Sequence, residues 1–505
     1  MILRAVIPWC WALAGCAAAE SLDLLRFTNG DQFHGAFRGL KEGPGVVWQR
    51  EDLAAPVEFK TSQIRHVILH GGRPLTALTS LSQLGLVNGD RLPGTITAID
   101  ADTITLDTPY AGVLRLARSQ VAMLAPNPLG GRVYYHGPFV EDDWKMTHAA
   151  WPDGLPAIAT GSAASAGPAA SAQPGRWVFS GSAWYWPHAH AGTALIREDG
   201  MPDRAVLRFE LAWKNRPCLA IAFHADFAPA KPREGEDLRR LKAGAFEPGD
   251  VYVLPRLFGN SYVLQIYADY LMLYRTAVSA AGKTSFEQVQ MNNNNLRLME
   301  MGKARLEVRS NRRSGAIALF INDEFVAQWN ENKEPGHDAA HFAGKGAGFG
   351  FVVQGEHSPL RISDISVSEW NGMPDSARSM QVDDQDIVLM ANGTDRYAGK
   401  AGGLDAHGLL DFTGKFGTLH FPLDEVAEVR FARNRLAAAA DVPAERLVVR
   451  FSPVGSISGQ PLPGDASHLE LLNPSAGPLR LALDSAVMLD FNSSKQIIDD
   501  WNADF

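Results

Sequence analysis

Four stretches of the chain repeat one pattern, and that repeat limits the fold more than any other feature. FTNGDQFHGAF carries Asn29-Gly30-Asp31 and Gly35, and LVNGDRLPGTI carries Asn88-Gly89-Asp90 and Gly94. ANGTDRYAGKA carries Asn392-Gly393 and Gly399, and SPVGSISGQPL keeps Gly455 and Gly459 without the Asn. A second glycine follows Gly94, Gly399 and Gly459 after 18 residues each, at Gly112, Gly417 and Gly477. In the first copy Ala55 takes that place, 20 residues after Gly35. Gly35 and Gly94 are 59 residues apart, Gly399 and Gly459 are 60 apart, but Gly94 and Gly399 are 305 apart. A fixed period marks a repeated structural unit. The long interval marks a larger domain set between two tandem pairs.

Each copy reads as all-β. Asn-Gly between alternating apolar residues is the strongest short hairpin signal, and the later glycine marks a second tight turn. Four or five strands in some fifty residues predict a small SH3-like or Sm-like barrel. Two such units side by side would bury edges that one unit exposes. The Asn and Gly positions are therefore read as turn chemistry, and Gly35, Gly94, Gly399 and Gly459 are expected to align at one turn. The expected division is a signal peptide at 1–19, β units at 21–70 and 79–126, a sandwich at 127–378, and β units at 381–434 and 443–492.

Charge and cysteine usage narrow the function classes. Lys plus Arg is 47 and Asp plus Glu is 56, a net charge of −9. Phosphate-backbone binding needs a basic face, so nucleic acid is not the expected partner. The N-terminus has one early positive charge and then AVIPWCWALAG, an apolar run too short to span a membrane. Leu13-Ala14-Gly15-Cys16 resembles a bacterial lipobox, which implies lipidation of Cys16 and a periplasmic or outer-membrane-associated lipoprotein. The rival reading is ordinary cleavage after Ala17-Ala18-Ala19. Of Cys10, Cys16 and Cys218, only Cys218 lies in the mature body, so no internal disulfide is expected and this thiol reads as a small buried hydrophobe.

The middle region opens with a low-complexity Ala/Ser/Pro/Gly loop at 155–175. Period-two runs follow: VLRFELAW, LAIAFHADF, YVLQIYADYLMLYR, ARLEVRSN, AIALFINDEFVAQW, GFGFVVQ and RISDISVSEW. With no ten-residue helix between them, they predict a two-sheet sandwich. Over about residues 177–372 the order of these runs resembles the laminin-G and concanavalin-like jelly rolls. Asn322-Asp323-Glu324 stands where such domains usually turn on Asp-Gly. The fold class is thus all-β, a concanavalin-like sandwich between two pairs of small β units. The whole arrangement resembles exported proteins of planctomycete and verrucomicrobial type.

The most site-like segment is Trp184-Tyr185-Trp186-Pro187-His188-Ala189-His190. Aromatic faces stack on sugar rings, and His188 and His190 could bond hydroxyls. Against that stands core packing, with one of Trp184 and Trp186 inside and its neighbour outside. His188 with His190, and His337 with His341, have zinc-like spacing but too few ligands. Glu141-Asp142-Asp143 and Asn322-Asp323-Glu324 could feed calcium, but neither completes a ligand loop. No catalytic set, GxSxG elbow or phosphate loop is present. The expectation is an exported, non-enzymatic binding or scaffold protein whose lectin-like sandwich contacts glycan or an envelope protein. The alternatives are a glycan-active enzyme resembling the 3-keto-disaccharide hydrolases, and a purely structural envelope component.

Overall fold

The computed structural model describes residues 23–43, 45–149, 174–188, 192–231, 251–292, 296–331, 342–372, 382–439 and 446–491. It is an all-β molecule with two parts: a two-sheet sandwich, and a base built from the four repeated units. Among the described residues no helix is long and apolar enough to cross a membrane.

In each unit the first strand pairs antiparallel with both the second and the last; in the second copy Thr95–Ile99, Thr103–Thr108 and Gly112–Ala117 form a separate three-stranded sheet. In the first copy, Asp23–Phe27 pairs with both Gln32–Lys41 and Ile64–Ile68. The same closure joins Gln83–Leu86 to Val121–Ala125, Asp386–Met390 to Val426–Arg430, and Leu447–Phe451 to Ala486–Asp490. The predicted turns form where Asn-Gly stands. The Asn29 amide bonds Asp31 at 2.7 Å, and that of Asn88 bonds Asp90 at 2.8 Å, while Gly30, Gly89 and Gly393 take positive φ.

Gly35, Gly94, Gly399 and Gly459 share a close approach to a facing strand rather than a turn: Gly35, Gly399 and Gly459 lie within a strand, and Gly94 sits at the break between Arg91–Pro93 and Thr95–Ile99. A Cβ there would meet the carbonyl oxygen of Gln49, Asp107, Thr413 or Leu472 at 2.3–2.7 Å. Glycine is required because the facing strand crosses too closely for any side chain. The remaining turn glycines, Gly112, Gly417 and Gly477, have φ between 68° and 111°.

The units do not associate in sequence order. The last strand of the first copy pairs with the last strand of the fourth, Leu489 facing Val67 and Asp490 facing His66. The last strand of the second pairs with that of the third, Met123 facing Arg430. Asn473 of the fourth copy donates to the buried Asp90 of the second at 2.7 Å, and Tyr110 stacks on Phe451 at 4.2 Å. One continuous apolar core takes residues from all four copies, among them Trp48, Ile104, Phe412 and Ile457. Segments hundreds of residues apart in sequence thus complete each other's edges.

The sandwich lies between the second and third copies in sequence. One sheet has eight strands, with Leu360–Glu369, Arg204–Trp213 and Lys303–Asn311 adjacent at its centre. The other has seven, with Thr193–Arg197, Gly348–Val353, Cys218–Ala225 and Ser261–Tyr267 at its centre. Two of the long runs seen in sequence are hairpins: YVLQIYADYLMLYR turns at Ala268-Asp269, and AIALFINDEFVAQW turns at Asn322-Asp323. The sheets face each other across a core that includes Phe209, Leu306, Ile362 and Phe351. Cys218 is buried in its strand, and burial raises its thiol pKa, as expected of a packing residue.

Candidate functional site

The alternation that fills the sandwich core sends the intervening residues of the eight-stranded sheet outward, toward the base. Leu207, Phe209 and Leu211 enter the core while Val206 and Arg208 face out; Ala304, Leu306 and Val308 enter while Arg305, Glu307 and Arg309 face out. Leu360–Glu369 keeps this pattern only by changing parity. Leu360 and Ile362 enter the core, then Ile365 and Val367 do. The change is a β-bulge opposite Arg208–Glu210, where Asp364 takes φ 49° and turns its carboxylate outward.

The last strands of the four base units supply the facing surface. His66, Met123, Glu428, Arg430, Met488 and Asp490 alternate out of the base core toward the sandwich. Between the two surfaces lies a cleft of about 1120 Å³. The parts touch through Arg65 of the first unit, whose Nη2 is 3.5 Å from Glu210 of the sandwich.

The cleft's electrostatics are built from shared carboxylates. Buried Glu210 is approached by Arg65 and, at 3.0 Å, by Arg305. Buried Glu307 takes the Arg309 Nε at 2.6 Å and the Arg208 Nε at 2.7 Å. His136 Nε2 lies 3.0 Å from Asp364. Burial alone would raise the Asp364 carboxyl; the hydrogen bond and charge of His136, helped by Arg65 and His66, hold it well below the usual range. His66 is pushed the other way. Burial, then the charges of Arg26 and Arg65, lower it well below an ordinary imidazole, so it is neutral at pH 7. Burial raises Asp490 against the pull of Arg450. Arg65 Nη1, His66 Nε2 and the Trp370 indole N–H are buried at the cleft with no hydrogen-bond partner among the described residues. Tyr134, 40% exposed, lines the cleft, with the Arg132 guanidinium 5.2 Å from its ring centroid.

The segment singled out in sequence lies elsewhere. Trp184, Tyr185 and Trp186 are all buried in the strand Ala183–Trp186, with both tryptophans in the sandwich core, so neither indole faces outward as expected of one of them. Pairing with Leu360–Glu369 on one edge and Val178–Phe179 on the other covers the strand. His188 accepts from the Arg176 backbone N–H at 3.0 Å and packs on Trp186. His190, Cys16 and the His337/His341 pair lie outside the described residues. Of the calcium candidates, Asp143 pairs with Arg73 and Arg197, and Asp323 lies 3.8 Å from Arg208. Among the described residues no group of three or more His, Cys, Asp or Glu side chains converges to hold a metal.

Sequence reasoning missed the cleft because its two faces come from many strands of distant sequence. The available signal was the second residue type in each alternation: Arg208, Arg305, Glu307 and Arg309 are charged at outward positions of strands whose other face is fully apolar.

No family model matches the chain, and no curated protein matches it. Solved structures similar to it include the carbohydrate binding module CBM66 from Bacillus subtilis, 9% identical over 46% of this chain and 100% of that one, with a TM-score of 0.26. Another is a legume lectin-like domain from Entamoeba histolytica, 10% identical over 39% and 88%, with a TM-score of 0.26. A third is the Ca2+/Man2-bound form of the VIP36 exoplasmic/lumenal domain, 9% identical over 49% and 90%, with a TM-score of 0.27. At these scores the two-sheet assignment rests on the strand pairing itself.

Proposed function

We propose that the protein is a binding and scaffold protein whose ligand is a glycan, held in the cleft between the base and the eight-stranded sheet. The observation that carries this reading is the lining: a partly exposed aromatic ring at Tyr134 with the Arg132 guanidinium beside it, an indole N–H at Trp370 with no partner among the described residues, and charged side chains fixed in place by mutual pairing. Carbohydrate sites combine an apolar ring face with a few rigid polar groups that fix hydroxyl orientation. Pairing between Glu307 and its two arginines sets those groups before any ligand arrives, which reduces the ordering cost of binding.

A glycan array probed with the full chain tests this. Binding to a saccharide subset, lost in Tyr134→Ala with an unchanged melting temperature, is the expected result. An array with no positive saccharide would remove the glycan reading and leave a structural role.

We further propose that the protein is exported and anchored in the envelope through Cys16. The support is the Leu-Ala-Gly-Cys sequence after a short apolar run. A doubly or triply acylated cysteine anchors stably where one chain alone does not. Fatty-acid labelling of wild-type cells but not of Cys16→Ala cells is expected; equal labelling of both would rule the anchor out.

A further inference from the structure

We infer that the ligand of the cleft is anionic: an acidic saccharide whose carboxylate or sulfate groups are held by arginine. This rests on the glycan reading above and adds the class of ligand.

Two independent features carry it. The first is the stoichiometry of the outward face of the sandwich. Glu210 is shared by Arg65 and Arg305, and Glu307 by Arg208 and Arg309, so each buried carboxylate meets two guanidinium groups. Asp323 is the third carboxylate in reach, 3.8 Å from Arg208 and 3.9 Å from Arg305, so four arginines face three carboxylates and the balance of this face is positive. The Arg65 Nη1 donor is also buried with no partner among the described residues. Buried donors left unmade are costly, and a ligand oxygen would recover that cost.

The second feature is the contrast between cleft and chain. Among the described residues, nine arginines, six carboxylates and no lysine line the cleft, whereas the chain as a whole carries −9. A positive lining on an acidic protein is a local field that draws an anion to one place and gives it nowhere else to go. The exclusive use of arginine selects the ligand's shape as well as its sign, because the planar guanidinium fork matches a carboxylate or sulfate edge where an ammonium does not. On the base side each cleft carboxylate of the last strands is matched by an arginine, Glu428 by Arg430 and Asp490 by Arg450 at 3.4 Å.

Calorimetry on the full chain tests the inference with three probes of equal length: an oligogalacturonate, a sulfated heparin-type oligosaccharide and a neutral dextran oligosaccharide. At least one acidic probe should bind about tenfold or more tighter than the neutral one, and lose that margin between about 50 and about 500 mM NaCl. Which acidic probe binds identifies carboxylate or sulfate as the recognised group. Arg208→Gln and Arg450→Gln, both with side chains more than 40% exposed, should each weaken acidic binding about tenfold. Melting temperatures of the variants report whether they fold; if they do not, the salt dependence of the wild type decides.

Neutral and acidic probes binding equally would overturn the inference and leave the glycan reading standing. Acidic binding untouched in folded arginine variants would place the site elsewhere and overturn it too. Binding of none of the three probes, together with an empty glycan array, would remove the glycan reading itself.

Discussion

The Trp184 indole sits 5.0 Å from the Phe179 ring and 6.4 Å from Trp144, sealed inside the sandwich. Trp184→Ala would leave a cavity there, and Trp186→Ala another against Trp177. Each should cost about 3–5 kcal/mol of stability, read as a lowered denaturation midpoint with any ligand affinity unchanged. A loss of affinity without loss of stability would contradict the core assignment. Buried histidines make a second prediction. His224 is fully buried, and burial with the Arg312 charge lowers it to about 3; burial lowers His148 to about 4. A base depressed in the folded state takes up its proton first in the unfolded chain. Stability from these residues is therefore complete above the unfolded value near 6.5 and is lost as pH falls toward 4 and then 3. The slope is about 1.4 kcal/mol per pH unit for each group. The melting temperature should be level from pH 8 to 7 and fall below pH 6, with His224→Gln removing part of the fall; a rise on acidification would contradict this. At this scale the sequence showed composition but not direction. The aromatics at 184–186 were visible as a cluster, yet only the second neighbouring strand, from 360–369, decides that they are enclosed.

The strand is the scale at which most of the molecule was legible. Asn-Gly turns, period-two runs and the 18-residue glycine spacing all correspond to observed hairpins and pairings. Gly399 shows where local reasoning stopped. Its spacing marked it as special, but the cause is a crossing strand, with Thr413 O 2.3 Å from the position a Cβ would occupy. Gly399→Ala and Gly459→Ala should each destabilise by about 1–3 kcal/mol through forced backbone displacement. Gly43→Ala is the comparison: it has φ +92° but nothing within 4 Å, so only its backbone strain should register, about 1 kcal/mol. Equal, negligible effects at Gly399 and Gly43 would mean that the close crossing is absent. The bulge at Asp364 was not legible, because a change of parity inside RISDISVSEW appears in sequence only as an imperfect alternation.

At the scale of the whole molecule, the base is one body made from both ends of the chain. Ile64–Ile68 and Val121–Ala125 find their outer partners only in Ala486–Asp490 and Val426–Arg430. Residues 21–126 expressed alone should therefore aggregate or remain unfolded, and should be recovered as a one-to-one complex when co-expressed with 381–492. A stable folded monomer of 21–126 would contradict the interleaved base. Sequence gave no sign of this order, since a repeat period identifies like units without saying which edges meet. The same interleaving forms the cleft, because it lays the last strands of the four units, joined in two pairs, beneath the sandwich. The most direct test is a hydrogen-exchange footprint of the full chain with and without a saturating acidic oligosaccharide. Protection should appear together on Ile64–Ile68 and Ala486–Asp490 of the base and on Lys303–Asn311 and Leu360–Glu369 of the sandwich. Protection confined to loops at the ends of the sandwich, with these four strands unchanged, would contradict the account.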